Sequence, residues 1–263
     1  MESDFIPYVP AELPVQARVL VLAPHPDDEV LGCGGTLSLH IKAGHAVNVL
    51  ILTDGAAAGP GNKDNESYRQ LREQESKCAS KKLGYPVPEF LGVPDRGIAK
   101  HPSLVETIDQ RIKSLSVSHL YCPSPSEIHP DHFATAMLGL EAARRNPMIK
   151  LMFYEVGVPL QPNVLFDITA VHERKQQAIQ CFKSQLALQM YDQHISGLNR
   201  FRSYTLSMET KQVEAFRCIS GSELYDWSDI FGRSRFSDVM MKQYSENGKR
   251  GTAPQPLALL GIC

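Results

Sequence analysis

Short apolar runs alternate with helical patterns through roughly the first two-thirds of the chain. Five runs are apolar almost throughout, as is typical of strands covered on both faces of a sheet: Arg18–Ala23, Ala46–Thr53, Glu89–Leu91, Ser118–Cys122 and Lys150–Glu155. Helix-forming residues with helical spacing lie between them, at Val30–Ala43, Glu66–Leu83, Ser103–Leu115 and Asp131–Arg145. This alternation predicts an α/β fold with a mostly parallel, doubly wound sheet that is flanked by helices and joined by right-handed crossovers.

The pattern is weaker after Pro159. Val171–Gln189 has helical spacing and Val213–Ile219 is typical of another strand, whereas Tyr225–Cys263 shows no clear period. We therefore predict one domain over residues 1–220 and a C-terminal extension, residues 221–263, that packs on the same domain.

The composition is that of an ordinary globular protein, since 43% of the 263 residues are apolar, 21% are charged and the formal net charge is -2. This charge balance gives no support to a nucleic-acid binder. No apolar stretch approaches the length of a membrane span, and the N-terminus lacks the pattern of a signal peptide. The six cysteines are scattered and form no CxxC pair, so we expect reduced thiols and a cytoplasmic location.

Two polar clusters follow predicted strands. Residues 24–29, Pro-His-Pro-Asp-Asp-Glu, come directly after the first strand, and residues 129–132, His-Pro-Asp-His, come after the fourth. In a doubly wound sheet with the order 3-2-1-4-5, strands one and four flank the point where the order reverses, and ligands bind there at the carboxyl ends of the strands. The sequence therefore predicts that the two clusters meet.

The clusters together contain a set of ligands that suits a catalytic metal ion. His25 and Asp28 are three residues apart, and His132 can supply the third ligand. Two imidazoles and one carboxylate leave a coordination position for water, which is typical of catalytic rather than structural zinc. Iron(II) or cobalt would fit the same ligands, because mixed nitrogen and oxygen ligands discriminate weakly between these metals.

Acid–base groups lie beside these predicted ligands. Asp27 is then free to act as a general base, and His129 can act as a general acid or as an oxyanion partner. Glu29 and Asp131 are expected to orient the ligands from behind. A structural alternative for Asp27 is the N-cap of the first helix, and His129 can have a purely structural role at a helix terminus.

The two motifs, Pro-His-Pro-Asp-Asp-Glu-x-x-Gly and His-Pro-Asp-His, resemble those of the LmbE/PIG-L family of zinc-dependent N-acetylglucosaminyl deacetylases. Further similar segments are Leu52–Gly55, Arg72-x-x-Glu75 followed by Leu83-Gly84, Phe90–Asp95 and Ser184-Gln185. The resemblance covers roughly residues 17 to 220.

The resemblance implies a Rossmann-like fold and removal of an N-acetyl or N-acyl group from an amino-sugar-containing substrate by zinc-bound water. It implies His25, Asp28 and His132 as zinc ligands, Asp27 as the base and His129 as the acid or oxyanion stabiliser. Further expectations are that substrate contacts come from Arg72 and Asp95, and that the partner is a small N-acetylated amino-sugar conjugate, without nucleic acid or a membrane span. A homo-oligomer is compatible with the sequence, and the role of Glu127 stays open.

Other interpretations remain at this stage. Without the resemblance, Arg72 would belong to a solvated face of paired charges together with Arg69, Glu73 and Glu75. Asp95 would be a turn residue beside Pro94. The same metal site could serve an esterase or a deacylase of a non-sugar amide, and a non-catalytic carbohydrate-binding relative is a third possibility. The run Gly32-x-Gly34-Gly35 does not match a dinucleotide-binding motif and is expected to let the first helix pack closely.

Overall fold

The computed structural model describes residues 9–58 and 65–223, so nearly all of the predicted C-terminal extension lies outside the described residues. The strands are β1 Arg18–Ala23, β2 Ala46–Thr53, β3 Glu89–Val93, β4 His119–Pro123, β5 Lys150–Tyr154, β6 Val164–Asp167 and β7 Val213–Ser220. The helices are α1 Asp28–Lys42, α2 Asn65–Leu83, α3 Leu104–Ser114, α4 Pro130–Arg145, α5 His172–Ile179, α6 Lys183–Leu186 and α7 Tyr191–Phe201. None of the helices within these residues is both long and apolar enough to cross a bilayer.

The strands form one sheet with the order β3-β2-β1-β4-β5-β7-β6. The first five strands are parallel, and β7 pairs antiparallel with both β5 and β6. The predicted α/β class, the mostly parallel sheet and the order 3-2-1-4-5 are therefore confirmed. The pattern did not predict β6, which has only four residues.

The sheet is buried on both faces, which explains why its strands are apolar almost throughout. On one face of β1, Leu20 and Leu22 belong to a core shared with α3 and α4. On the other face, Val19 and Val21 belong to a core shared with α1 and α2. The alternation of side chains along one strand thus supplies both layers of helices with a buried apolar surface.

The helical pattern over Val171–Gln189 corresponds to two helices rather than one. Helix α5 ends at Ile179, and α6 begins only at Lys183. Between them the buried residue Phe182 takes a non-helical backbone conformation, with φ -84° and ψ 57°. Burial of this ring in the core shared with α1 breaks the helix although no glycine or proline marks the break.

Helix α1 carries the first polar cluster at its start, and it is broken at Cys33, where φ is -139° and ψ is 17°. Glu214 of β7 compensates for the break, because its carboxylate accepts hydrogen bonds from the backbone amides of Gly35 at 2.8 Å and Thr36 at 2.7 Å. Glycine is required at two positions of this helix: a Cβ on Gly32 would collide with the ring of Tyr154, and one on Gly35 with Ile168. The expected close packing through the glycine run is observed.

A buried ion pair completes this junction. The ammonium of Lys175, which is fully buried, donates to Oε1 of Glu214 at 2.7 Å, to the carbonyl of Leu31 at 2.9 Å and to Oδ1 of Asn199 at 3.0 Å. Glu214 is itself only 1% exposed. The pair joins α5 and β7 to the break in α1, and so fixes the direction of the turn that begins with Asp28.

We predict that Glu214→Ala lowers the free energy of unfolding by about 3–5 kcal/mol, because it leaves the Lys175 ammonium and two amides of α1 without their acceptor in the core. Urea denaturation at equilibrium measures this loss. The control is Lys113→Ala, which breaks an exposed ion pair with Asp109 and should cost less than about 1 kcal/mol. Equal losses in the two variants would contradict the role given to Glu214.

Candidate functional site

The two polar clusters lie together at the carboxyl ends of β1 and β4, which are neighbours in the sheet. The ring of His25 lies 5.4 Å from that of His132 and 4.6 Å from that of His129, measured between centroids. Within the described residues, possible ligand atoms of these three histidines lie within 4.8 Å of one another, and so do those of His25, Asp95 and Asp131. The strand order therefore brings together side chains that are about a hundred residues apart in the sequence.

One carboxylate oxygen joins the clusters. Oδ2 of Asp28 lies 3.0 Å from Nδ1 of His25 and 3.2 Å from Nε2 of His132, and it also accepts a hydrogen bond from the backbone amide of His25 at 3.0 Å. All three residues are buried. Asp28 begins α1, so the first turn of this helix points its carboxylate at both imidazoles.

The electrostatics of this group favour positive charge. Burial alone would raise the pKa of Asp28, but the imidazoles of His132 and His25 outweigh it and hold that pKa well below its usual range. Burial would lower the pKa of each histidine, yet the surrounding carboxylates raise the pKa of His132 to about 9 and that of His25 well above its usual value. In the absence of another cation, protons on the imidazoles balance the buried carboxylates.

A carboxylate also lies behind each of the two imidazoles. Nε2 of His25 is 3.4 Å from Oδ2 of Asp131 and 3.5 Å from Oδ1 of Asp95. Nδ1 of His132 is 3.5 Å from Oε2 of Glu127. Histidines that bind a metal usually direct their second nitrogen at a carboxylate, carbonyl or water in this way. The donor set and its surroundings therefore fit a divalent cation held between His25, Asp28 and His132.

Glu127 also holds the chain that follows β5. Its carboxylate accepts hydrogen bonds from the backbone amides of Val156 at 2.8 Å, Gly157 at 3.1 Å and Val158 at 3.2 Å. Glu127 is 3% exposed. The sequence left its role open, and backbone amides that donate from a loop some thirty residues away leave no signal in the side-chain pattern.

Asp27 adopts a strained backbone conformation, with φ 151° in a region that favours glycine. It occupies the N-cap position of α1, but its side chain does not cap the helix. Instead Oδ2 accepts a hydrogen bond from Nη2 of Arg72 at 3.0 Å. Burial raises the pKa of Asp27 to about 7, although the Arg72 guanidinium acts in the opposite direction.

Arg72 is directed into the protein and is 3% exposed. Besides Asp27 it donates to the carbonyls of Pro26 at 2.8 Å and Gly55 at 3.0 Å. The solvated ion-paired face on α2 is formed by Arg69 with Glu66 and Glu73, so the interpretation of Arg72 as part of that face is wrong.

Glu29 lies on the other side of Asp27 and is completely buried. Its carboxylate accepts hydrogen bonds from the backbone amide of Asp27 at 3.2 Å, the hydroxyl of Ser76 at 3.3 Å and the hydroxyl of Tyr85 at 3.0 Å. Burial raises the pKa of Glu29 to about 7. Glu29 therefore holds the backbone of Asp27. Of the two residues expected to orient the metal ligands, Asp131 is the one that contacts a predicted ligand, His25.

His129 is the N-cap of α4, and its Nδ1 accepts a hydrogen bond from the backbone amide of Asp131 at 3.2 Å. Burial, followed by the charges of His25 and His132, lowers the pKa of His129 to about 4. The imidazole is thus neutral near pH 7, and with Nδ1 as acceptor its proton is on Nε2. Of the two roles that the sequence left open for His129, this low pKa disfavours the protonated acid, whereas a neutral donor for an oxyanion is available.

Comparison with known proteins relates this site to a family. The PIG-L family profile, described as GlcNAc-PI de-N-acetylase, matches residues 20–143. The chain is similar to a Bacillus cereus protein named "Probable N-acetyl-alpha-D-glucosaminyl L-malate deacetylase 2", with 25% identity over 71% of this chain and 91% of the relative. Diacetylchitobiose deacetylase of Thermococcus kodakarensis is 28% identical over 64% of this chain and 70% of the relative.

The similarity extends to one enzyme of another reaction class, 4-oxalmesaconate hydratase of Pseudomonas putida, which is 28% identical over 67% of this chain and 77% of the relative. Among solved structures, N,N'-diacetylchitobiose deacetylase from Pyrococcus horikoshii has a TM-score of 0.71 at 21% identity, with 85% of this chain and 88% of that chain covered. That likeness shows the shared α/β fold. The residues matched by the family profile contain both polar clusters, so the similarity to the PIG-L family includes the residues that form the candidate site.

Proposed function

We propose that this protein is a metal-dependent hydrolase that removes an N-acetyl or other N-acyl group from a small molecule containing an amino sugar. The observation that carries the proposal is the meeting of His25, Asp28 and His132 next to the carboxylate of Asp27. The names of two relatives, deacetylases of N-acetylglucosaminyl malate and of diacetylchitobiose, support this class of substrate. A cytoplasmic location and a homo-oligomer stay predictions from the sequence.

We propose His25, Asp28 and His132 as the residues that hold the divalent ion. Zinc is the first choice, and iron(II) and cobalt fit the same ligands. When bound, such an ion supplies a Lewis acid that polarises the acyl carbonyl and lowers the pKa of a water molecule. The carboxylates of Asp131, Asp95 and Glu127 support this assignment, because they can fix the orientation of the two imidazoles.

In the proposed reaction Asp27 accepts a proton from the attacking water. A pKa of about 7 suits a general base that works near neutral pH. Arg72 and the backbone contact with Glu29 hold the carboxylate in one orientation, so that it does not have to be ordered during the reaction. The same carboxyl group can return the proton to the leaving amine.

His129 stabilises the negative charge that develops on the carbonyl oxygen. Its neutral imidazole presents the Nε2 proton, because Nδ1 is occupied as the acceptor from Asp131. A positioned donor of this kind contributes most when it points at charge that forms only in the transition state. We therefore assign His129 the oxyanion role from the two that the sequence left open.

Arg72 and Asp95 are proposed to position other residues rather than to contact the substrate. Arg72 has its hydrogen bonds to Asp27 and two backbone carbonyls. Asp95 directs one oxygen at His25 and accepts a hydrogen bond from the backbone amide of Ala57 with the other. The segment held by Glu127, residues 156–158, is the proposed contact on the substrate side.

The function is tested with purified protein, a chelator and returned zinc. We predict that chelation lowers release of acetate from N-acetylglucosaminyl malate or diacetylchitobiose at least about 100-fold, and that zinc restores it, because a Lewis acid contributes several kcal/mol to catalysis. Mass spectrometry of the freed amine measures the reaction. Turnover that is insensitive to the chelator would exclude the proposal.

Three further substrates separate the alternatives in the same assay. An O-acetylated sugar tests for an esterase, an N-acetylated amino acid tests for a deacylase of non-sugar amides, and 4-oxalmesaconate tests for a hydratase. Zinc binding without turnover of any of them would indicate a non-catalytic relative. Preference for one of these compounds over the N-acetylated amino sugars would replace the proposed substrate class.

For the general base we predict that Asp27→Asn lowers kcat by about 10²–10⁴-fold, since the amide keeps the shape of the carboxylate but cannot accept the proton. Zinc content after dialysis should stay at the wild-type level, because Asp27 is not among the proposed ligands. Glu106→Gln on α3, an exposed carboxylate, is the control and should leave kcat unchanged. Wild-type turnover in Asp27→Asn would remove Asp27 from the mechanism.

For Glu127 we predict that Glu127→Gln weakens zinc binding by about 10–100-fold, because the charge behind His132 is lost. Competition with a fluorescent zinc chelator measures the affinity. Glu141→Gln, a partly exposed carboxylate on the same helix as His132, is the matched control and should bind zinc as the wild type does. An affinity within twofold of the wild type would show that Glu127 serves only the loop.

A further inference from the structure

Two cysteines that are 103 residues apart in the sequence meet at the surface. Sγ of Cys78 on α2 lies 2.7 Å from Sγ of Cys181, which follows α5. Cys78 is exposed and Cys181 is partly buried, whereas Cys33 and Cys122 are buried in the core. The two thiols are thus both in contact with each other and accessible to small molecules in solution.

The backbone around this pair is already fixed by neighbouring contacts. Glu75 of α2 accepts hydrogen bonds from the backbone amide of Ser184 at 2.8 Å and from its hydroxyl at 2.6 Å. Tyr68, two turns earlier on α2, accepts one from Gln185 at 2.9 Å. These bonds attach the segment that follows Cys181 to the same helix that carries Cys78, so they hold the two sulfurs close to each other.

The same helix supports the candidate site. Arg72 binds the carboxylate of Asp27, and Ser76 binds that of Glu29. A covalent bond at Cys78 would therefore attach the helix that orients the proposed base to the C-terminal half of the domain.

The surroundings of the two thiols give them different roles. Burial and the neighbouring Cys78 raise the pKa of Cys181 to about 12, with the charge of Lys82 acting in the opposite direction. Cys181 is therefore a neutral thiol near pH 7, and the exposed Cys78 is the sulfur that an oxidant reaches first.

We propose that Cys78 and Cys181 form a reversible disulfide on reaction with low-molecular-weight disulfides, such as oxidised glutathione, and that this bond locks α2 in its present position. The Cys78 thiolate attacks one sulfur of oxidised glutathione, and one glutathione leaves as a thiolate. Cys181 then loses its proton to solvent, and its sulfur attacks the Cys78 sulfur of the mixed disulfide and releases the second glutathione as a thiolate. The cysteines lose two protons and two electrons, and the electrons reduce the glutathione disulfide.

The test uses the full chain, reduced and then freed of reductant, with and without oxidised glutathione. We predict that tryptic peptides 78–81 and 176–183 become linked and that dithiothreitol separates them. The midpoint of thermal unfolding should rise by between about 5 and 15 °C, because the bond closes a long loop in the unfolded chain. Neither measurement involves catalysis, so the result is independent of the proposed function.

Control variants assign the effect to this pair. Cys78→Ser and Cys181→Ser should show neither the linked peptides nor the shift, and Cys263→Ser should behave as the wild type. A stable glutathione adduct on Cys78 without the linked peptides would overturn the proposal. A linked protein that unfolds at a lower temperature than the reduced one would also overturn it, because the bond would then displace α2.

Discussion

The break in α1 at Cys33 is the constraint on which the site depends. It separates the turn that carries Asp28 from the rest of the helix, which packs on the sheet, and it is followed by the backbone amides of Gly35 and Thr36, which donate to a side chain of another element. The carboxylate of Glu214 accepts hydrogen bonds from both amides, and the ammonium of Lys175 balances the carboxylate's charge. Since Glu214 belongs to β7, the antiparallel pair added at the edge of a parallel sheet also completes the first helix. The buried ion pair thus has a positional role, and its removal would cost more than the loss of one surface pair.

Helix α2 gives a second kind of support, because it orients the charged groups that α1 presents. Arg72 fixes the side chain of Asp27, and Ser76 together with Tyr85 fixes Glu29, which in turn binds the amide of Asp27. The contacts of Arg72, Ser76 and Tyr85 come from outside α1, and each involves a buried polar group that would be costly without its partner. A carboxylate held in this way keeps one orientation even though the backbone of its residue is strained. Burial raises its pKa while the guanidinium restrains that rise, and this balance gives a value near neutrality.

The sequence predicts those features that depend on short, local patterns. Continuous apolar runs predicted five parallel strands, and the strand order then placed His25 and His132 at one edge of the sheet. Features that depend on distant partners could not be predicted. Lys175 and Glu214 are isolated charges in the sequence, and Glu127 binds backbone amides that leave no pattern. The break at Phe182 has no glycine or proline to mark it. The contact of Cys78 with Cys181 depends on how α2 packs against the segment between α5 and α6. The spacing of residues in the sequence gives no information about that packing.

In the proposed metal site, protons and a divalent ion would be alternative occupants of the same buried, negatively charged position. Asp28, Asp95, Asp131 and Glu127 surround two imidazoles, and without another cation those imidazoles keep protons at pH values where an exposed histidine has lost them. An ion held by His25 and His132, as proposed, would displace those protons, so its affinity is expected to fall as the solution becomes more acidic. The carboxylates behind the imidazoles remain after the exchange and continue to orient the rings. The carboxylates would therefore act on both states: they raise the proton affinity of the free site, and they would increase the basicity of the nitrogens proposed to hold the ion.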